Sequence, residues 1–143
     1  MRRKIPTFEE YMEMKERKLK HLHRIDEMAN VSRPNDNIPK NTKIVVFPEG
    51  DIQGTKTPHF HVLIYGGEIN LEIKIENIYK MEIWRTKNNY PKSWDGLTDV
   101  RERIIEWLDE KSKKDYGLTN LQKIVLFWNI NNPTNEIDDK FVE

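Results

Sequence analysis

A Gly-Gly pair between two alternating runs constrains this chain more than any other feature. Gly66 and Gly67 separate Pro58-His59-Phe60-His61-Val62-Leu63-Ile64-Tyr65 from Glu68-Ile69-Asn70-Leu71-Glu72-Ile73-Lys74. Glycine reaches positive φ at both central positions of a two-residue turn without steric penalty, so the pair suits a type I′ β-hairpin. That turn sets Tyr65 opposite Glu68, Ile64 opposite Ile69, Val62 opposite Leu71 and Phe60 opposite Ile73. Side chains alternate between the faces of a strand, so Phe60, Val62, Ile64, Ile69, Leu71 and Ile73 share one face, which must be buried. The other face carries His61 opposite Glu72, His59 opposite Lys74 and Leu63 opposite Asn70.

Directly opposed residues have Cβ atoms about 4.5–5.5 Å apart, and residues two apart on one strand lie about 7 Å apart. His59, His61 and Glu72 can therefore converge. Two imidazoles and one carboxylate form the ligand set of a facial-triad iron site or of a catalytic zinc site, so a divalent metal is the cofactor this pattern suggests. The competing reading is an exposed His61–Glu72 cross-strand hydrogen bond, with Lys74 beside His59 repelling any cation. A second H-x-H pair, His21 and His23, falls in a segment of helical pattern. Residues two apart on a helix point to different sides, so that pair cannot chelate one ion.

At 143 residues the chain has the length of one domain, able to bury about two-thirds of its unfolded surface. Lysine and arginine number 24 and aspartate and glutamate 24, so no global field points to nucleic acid or an anionic membrane. The absence of cysteine excludes disulfides, thiolate nucleophiles and cysteine-ligated zinc, and fits a reducing compartment. Met1-Arg2-Arg3-Lys4 leads into charge instead of a signal-peptide core, and no apolar run reaches transmembrane length. The expectation is a soluble, cytoplasmic protein. The glycines form no phosphate-binding loop, and neither Ser93 nor Ser112 lies in a nucleophile elbow.

Thr7-Phe8-Glu9-Glu10 is a capping box that opens a long helix, expected over 7–30. Its apolar stripe includes Tyr11, Leu19 and Leu22 and is interrupted by charge, which makes it the best candidate for contact with a protein partner. A sheet is expected over 43–85: Lys43-Ile44-Val45-Val46-Phe47 as a buried strand, the hairpin, and a further strand from Ile78 to Trp84. Two helices are expected over 98–131, the first with Thr98 as N-cap, a stripe of Val100, Ile104, Trp107 and Leu108, and a stop at Gly117. The second opens at the capping box Thr119-Asn120-Leu121-Gln122 and carries Leu121, Ile124, Val125 and Trp128 at core spacing. Residues 134–143 read as a polar, frayed tail. The fold class is α+β: an N-terminal helix, a small antiparallel meander of three to four strands, and two C-terminal helices.

Trp84, Tyr90 and Trp94 lie among Arg85 and Lys87, with Lys80, Lys92 and Arg101 nearby, and aromatics amid cations grip single-stranded nucleic acid by stacking and phosphate contact. Glu82, Asp95 and Asp99 dilute that charge, which favours a mixed loop covering the core edge.

Thr57-Pro58-His59-Phe60-His61-Val62, with Tyr65-Gly66 and Glu68, resembles the P-P-H-F-H-V…Y-G…E-A motif of the small bacterial family catalogued as domain of unknown function 4160. Glu106-Trp107 and Phe127-Trp128-Asn129 resemble, more weakly, tryptophan-containing pairs in that family's later helices. The resemblance runs from Lys43 to Asn131 and departs at the N-terminal helix, at Thr57 and in Arg85–Gly96. Members often sit beside small DNA-related or toxin–antitoxin-like partners, so the resemblance implies such a role. Two functions are expected on these grounds. One is a non-enzymatic protein-interaction module of a toxin–antitoxin-like or phage-associated system. The other is a metal-dependent hydrolase or nuclease using His59, His61 and Glu72.

Overall fold

The computed structural model describes residues 27–33, 36–46, 57–85, 91–111, 117–132, 135–138 and 140–142. The hairpin organises them. Strands β3 (His59–Ile64) and β4 (Ile69–Lys74) pair antiparallel in the register set by the sequence, from His59 opposite Lys74 to Ile64 opposite Ile69. Gly66 and Gly67 take φ of 67° and 99°, and the Glu68 amide donates to the Tyr65 carbonyl. The connection is longer than a two-residue turn, because Tyr65 itself sits at φ 55° and ladder pairing stops at Ile64 and Ile69.

Strand β2 (Lys43–Val45) pairs with β3, and β5 (Ile83–Arg85) pairs with β4, which gives the expected antiparallel meander from Lys43 onward. Strand β1 (Glu27–Asn30) adds a fifth member beside β2, in the order β1-β2-β3-β4-β5. These four residues end the helix expected over 7–30, and they are strand instead. The free edge of β2 offers them backbone partners, and such long-range pairing overrides local propensity. The rest of that expected helix, with Tyr11, Leu19, Leu22, His21 and His23, lies outside the described residues. The strand expected over 78–84 is shorter than its apolar pattern suggested. Ile78–Lys80 forms a 3-10 turn and Met81 takes a left-handed φ of 51°, so extended backbone resumes only at Ile83.

Phe60, Val62, Ile64, Leu71 and Ile73 on one face of the hairpin are fully buried, each contributing roughly 1.5–3 kcal/mol of transfer free energy. Helix α1 (Thr98–Leu108) adds Val100, Ile104, Trp107 and Leu108 to the same core. Its N-cap is Leu97, so Thr98 is the first helical residue, not the cap. The helix ends at Leu108, well before Gly117. Asp109 and Glu110 place negative charge at the negative helix end, and the chain then bridges Lys111 to Thr119.

Helix α2 (Asn120–Asn131) begins with the expected capping box, the Thr119 side chain accepting from the Gln122 amide and Gln122 from the Thr119 amide. From Asn120 to Trp128 every residue is buried, so this helix is enclosed on all sides instead of presenting one apolar stripe. Part of its cover comes from the tail expected to fray. Trp128 Nε1 donates to the Asn135 carbonyl at 2.8 Å, and the Asn129 side-chain amide pairs with both backbone groups of Ile137 at 3.0 and 2.8 Å. Val142 is 1 % exposed and its carbonyl accepts from the Ile78 amide. Three apolar anchors, Ile137, Phe141 and Val142, outweigh the polar composition around them.

Arg103 ties α1 to the end of β1. Its Nε donates to the Val31 carbonyl at 2.8 Å, and its two terminal nitrogens grip Glu110 at 2.9 and 3.2 Å. Arg33 joins the cluster through Glu106 and Glu110. No helix among the described residues is long and apolar enough to cross a membrane.

Candidate metal centre

Alternation along β3 puts His59 and His61 on the face away from Phe60 and Val62, and the β3–β4 register puts Glu72 across from His61. The structure brings the three together. His59 Nε2 lies 3.3 Å and His61 Nε2 3.9 Å from the same oxygen, Glu72 Oε1. One ligand atom from each of the three residues falls within 4.8 Å of the other two.

This face is not solvated, contrary to the reading of His61 and Glu72 as an exposed pair. His59 is 1 % exposed, His61 7 % and Glu72 9 %. The His59 ring stacks near Trp84, with centroids 4.7 Å apart, and near Trp128 at 5.5 Å, while the two imidazoles meet edge to face at 5.0 Å. Sequence reasoning did not anticipate the two indoles, because they reach His59 from distant segments and only the tertiary fold joins them.

Second contacts orient both rings. His59 Nδ1 lies 2.7 Å from the Thr57 carbonyl, and His61 Nδ1 lies 2.8 Å from Asn70 Oδ1. A carbonyl oxygen only accepts, so each Nδ1 carries the proton and donates. In the neutral ring Nε2 then holds a lone pair, and both lone pairs are directed to one carboxylate oxygen. A cation among the three atoms would suit this arrangement. A shared proton can bridge one nitrogen and the oxygen, whereas a metal ion serves both nitrogens at once. A signal for Asn70 was present in the sequence: it shares the histidine face and lies diagonal to His61, within reach across an antiparallel pair.

Lys74 does not oppose a cation as its position across from His59 suggested. Its Nζ bonds Glu82 Oε2 at 2.7 Å, which raises the Lys74 pKa and lowers that of Glu82. The charge is thereby matched locally.

Of the aromatic and basic residues considered for nucleic acid, two tryptophans have contacts within the fold. Trp84 packs on His59, and Trp94 donates its Nε1 to the Met81 carbonyl at 2.7 Å. Arg85 lies in β5 with its backbone opposite Glu72, and Lys87 and Tyr90 fall outside the described residues.

Comparison with protein-family models, with curated proteins and with solved structures returned no match. The resemblance to the domain of unknown function 4160 family thus rests on its motif residues alone. Two of those residues, His59 and His61, are the ones that converge on Glu72.

Bonds of about 2.0–2.2 Å to a tetrahedral ion set its ligand atoms roughly 3.4 Å apart. The His59–Glu72 edge of 3.3 Å has that length, and the His61–Glu72 edge of 3.9 Å is about half an ångström wider.

Proposed function

We propose that this protein binds one divalent transition-metal ion through His59 Nε2, His61 Nε2 and a Glu72 carboxylate oxygen. The observation that carries the reading is the convergence of two imidazole Nε2 atoms, each with its Nδ1 bound to an oxygen acceptor, on a single buried carboxylate oxygen. Ligating histidines are normally held in this way through the nitrogen that does not touch the metal. Nitrogen-rich donors favour zinc, iron, nickel or copper over magnesium or calcium. Three protein ligands leave a coordination position for water, the donor count of catalytic zinc sites, so metal-assisted hydrolysis is the activity the centre suits. The interaction-module reading draws its support from the family resemblance and from Tyr11, Leu19 and Leu22.

Metal analysis of the full chain, purified without a histidine tag, tests the reading. One equivalent of bound metal, absent from the His59→Ala/His61→Ala double variant, is expected. A wild-type protein that neither retains metal nor gains thermal stability with zinc, iron(II), nickel or copper would end it.

A further inference from the structure

We infer that Asn70 is the positioning residue that sets the metal affinity of this centre; the inference rests on the metal reading above. The two histidines are held by different means. His59 is fixed by the main-chain carbonyl of Thr57, which no substitution removes. His61 is fixed by a side chain, the Asn70 amide on β4, two residues before Glu72 and on the same face. Asn70 is half-buried, so its bond to the ring is partly shielded from competing water.

The consequence follows from imidazole chemistry. With Asn70 Oδ1 accepting from Nδ1–H, the His61 lone pair stays on Nε2, on the Glu72 side. Without that acceptor nothing at Nδ1 favours this tautomer, and the other tautomer places N–H where a metal bond must form. His61 is also the wider arm of the site, at 3.9 Å from Glu72 against 3.3 Å for His59. Its orientation therefore decides whether the third ligand closes on the ion. A neutral amide is an intermediate choice of acceptor. An aspartate there would draw the Nδ1 proton more strongly and make Nε2 a better donor to the metal, and leucine would provide no acceptor at all.

Competition titration of zinc against a chromophoric chelator, with wild type, Asn70→Leu and Asn70→Asp, tests this. Asn70→Leu is expected to bind zinc about 10–100-fold more weakly, the range seen when such outer contacts are removed. Asn70→Asp is expected to bind more tightly than wild type. A purely structural role for Asn70 would instead lower the melting temperature of the metal-free protein in both variants and leave affinity unmoved. Equal zinc affinity in wild type and Asn70→Leu overturns the inference while leaving the metal centre intact; no zinc binding by wild type overturns both. If Asn70→Leu does not fold, Asn70→Asp decides, and affinity no greater than wild type overturns the inference.

Discussion

Strands β3 and β4 bury both of their faces, with opposite chemistry. One face is Phe60, Val62, Ile64, Leu71 and Ile73, which stabilise the fold by leaving water. The other holds two imidazoles and a carboxylate at nearly the same depth. A buried ionisable cluster is rarely the most stabilising solution, since apolar residues of similar volume often do as well or better. The polar face is satisfied all the same, for among the described residues no buried side-chain nitrogen or oxygen lacks a hydrogen-bond partner. The contrast teaches that the first face serves stability, while the second is the one proposed to bind metal.

The largest effect should come from the apolar face. Phe60→Ala is expected to lower unfolding free energy by about 3–5 kcal/mol, read from urea denaturation, with one metal still bound per folded molecule. Loss of metal by the folded fraction would blur the division between faces. On the polar face the dependence reverses. At zinc 100-fold above its dissociation constant, wild type should gain about 2.7 kcal/mol over the metal-free protein, and the His59→Leu/His61→Leu variant should gain none. Without metal that variant should unfold at the same denaturant concentration as wild type or higher. An apo variant several kcal/mol weaker would show that the polar face is structural after all.

The Arg103 cluster provides the reference for charge that is structural. Arg103→Met removes the bond to Val31 and the grip on Glu110, and should cost about 1.5–3 kcal/mol by denaturation without altering zinc affinity. The smallest effect is its pH dependence. The Arg103 hydrogen bond, with the charges of Arg103 and Arg33, holds the Glu110 pKa below the ordinary carboxylate value. Folding therefore favours the ionised form. The contribution is full above the unfolded carboxylate pKa and disappears as pH falls through the lower folded value. Glu110 is partly solvated, so the effect should be about 0.2–1 kcal/mol and shrink in salt. Acid titrations of stability in wild type and Arg103→Met should differ in that window alone.

Much of this comparison was legible in the sequence. Period-two alternation and one Gly-Gly turn gave all six hairpin pairs from His59–Lys74 to Ile64–Ile69, and so placed His59, His61 and Glu72 on one face. The Thr119–Gln122 capping box was legible for the same reason, since its partners lie three residues apart. What lay hidden depends on distant contacts. Glu27–Asn30 is a strand because β2 has an edge to offer. Asn135, Ile137 and Val142 are anchored because Trp128, Asn129 and Ile78 bond to them. The depth of the histidine face belongs to this class too, for neither Trp84 nor Trp128 is near it in sequence.

Those two indoles give the centre an optical signature of its own. Rings 4.7 and 5.5 Å from the His59 imidazole lie close enough for an open-shell ion such as copper(II) to quench their emission, whereas closed-shell zinc would leave it bright. For the metal proposed here, the protein's own fluorescence would thus tell an open-shell ion from zinc, with no dye or label attached.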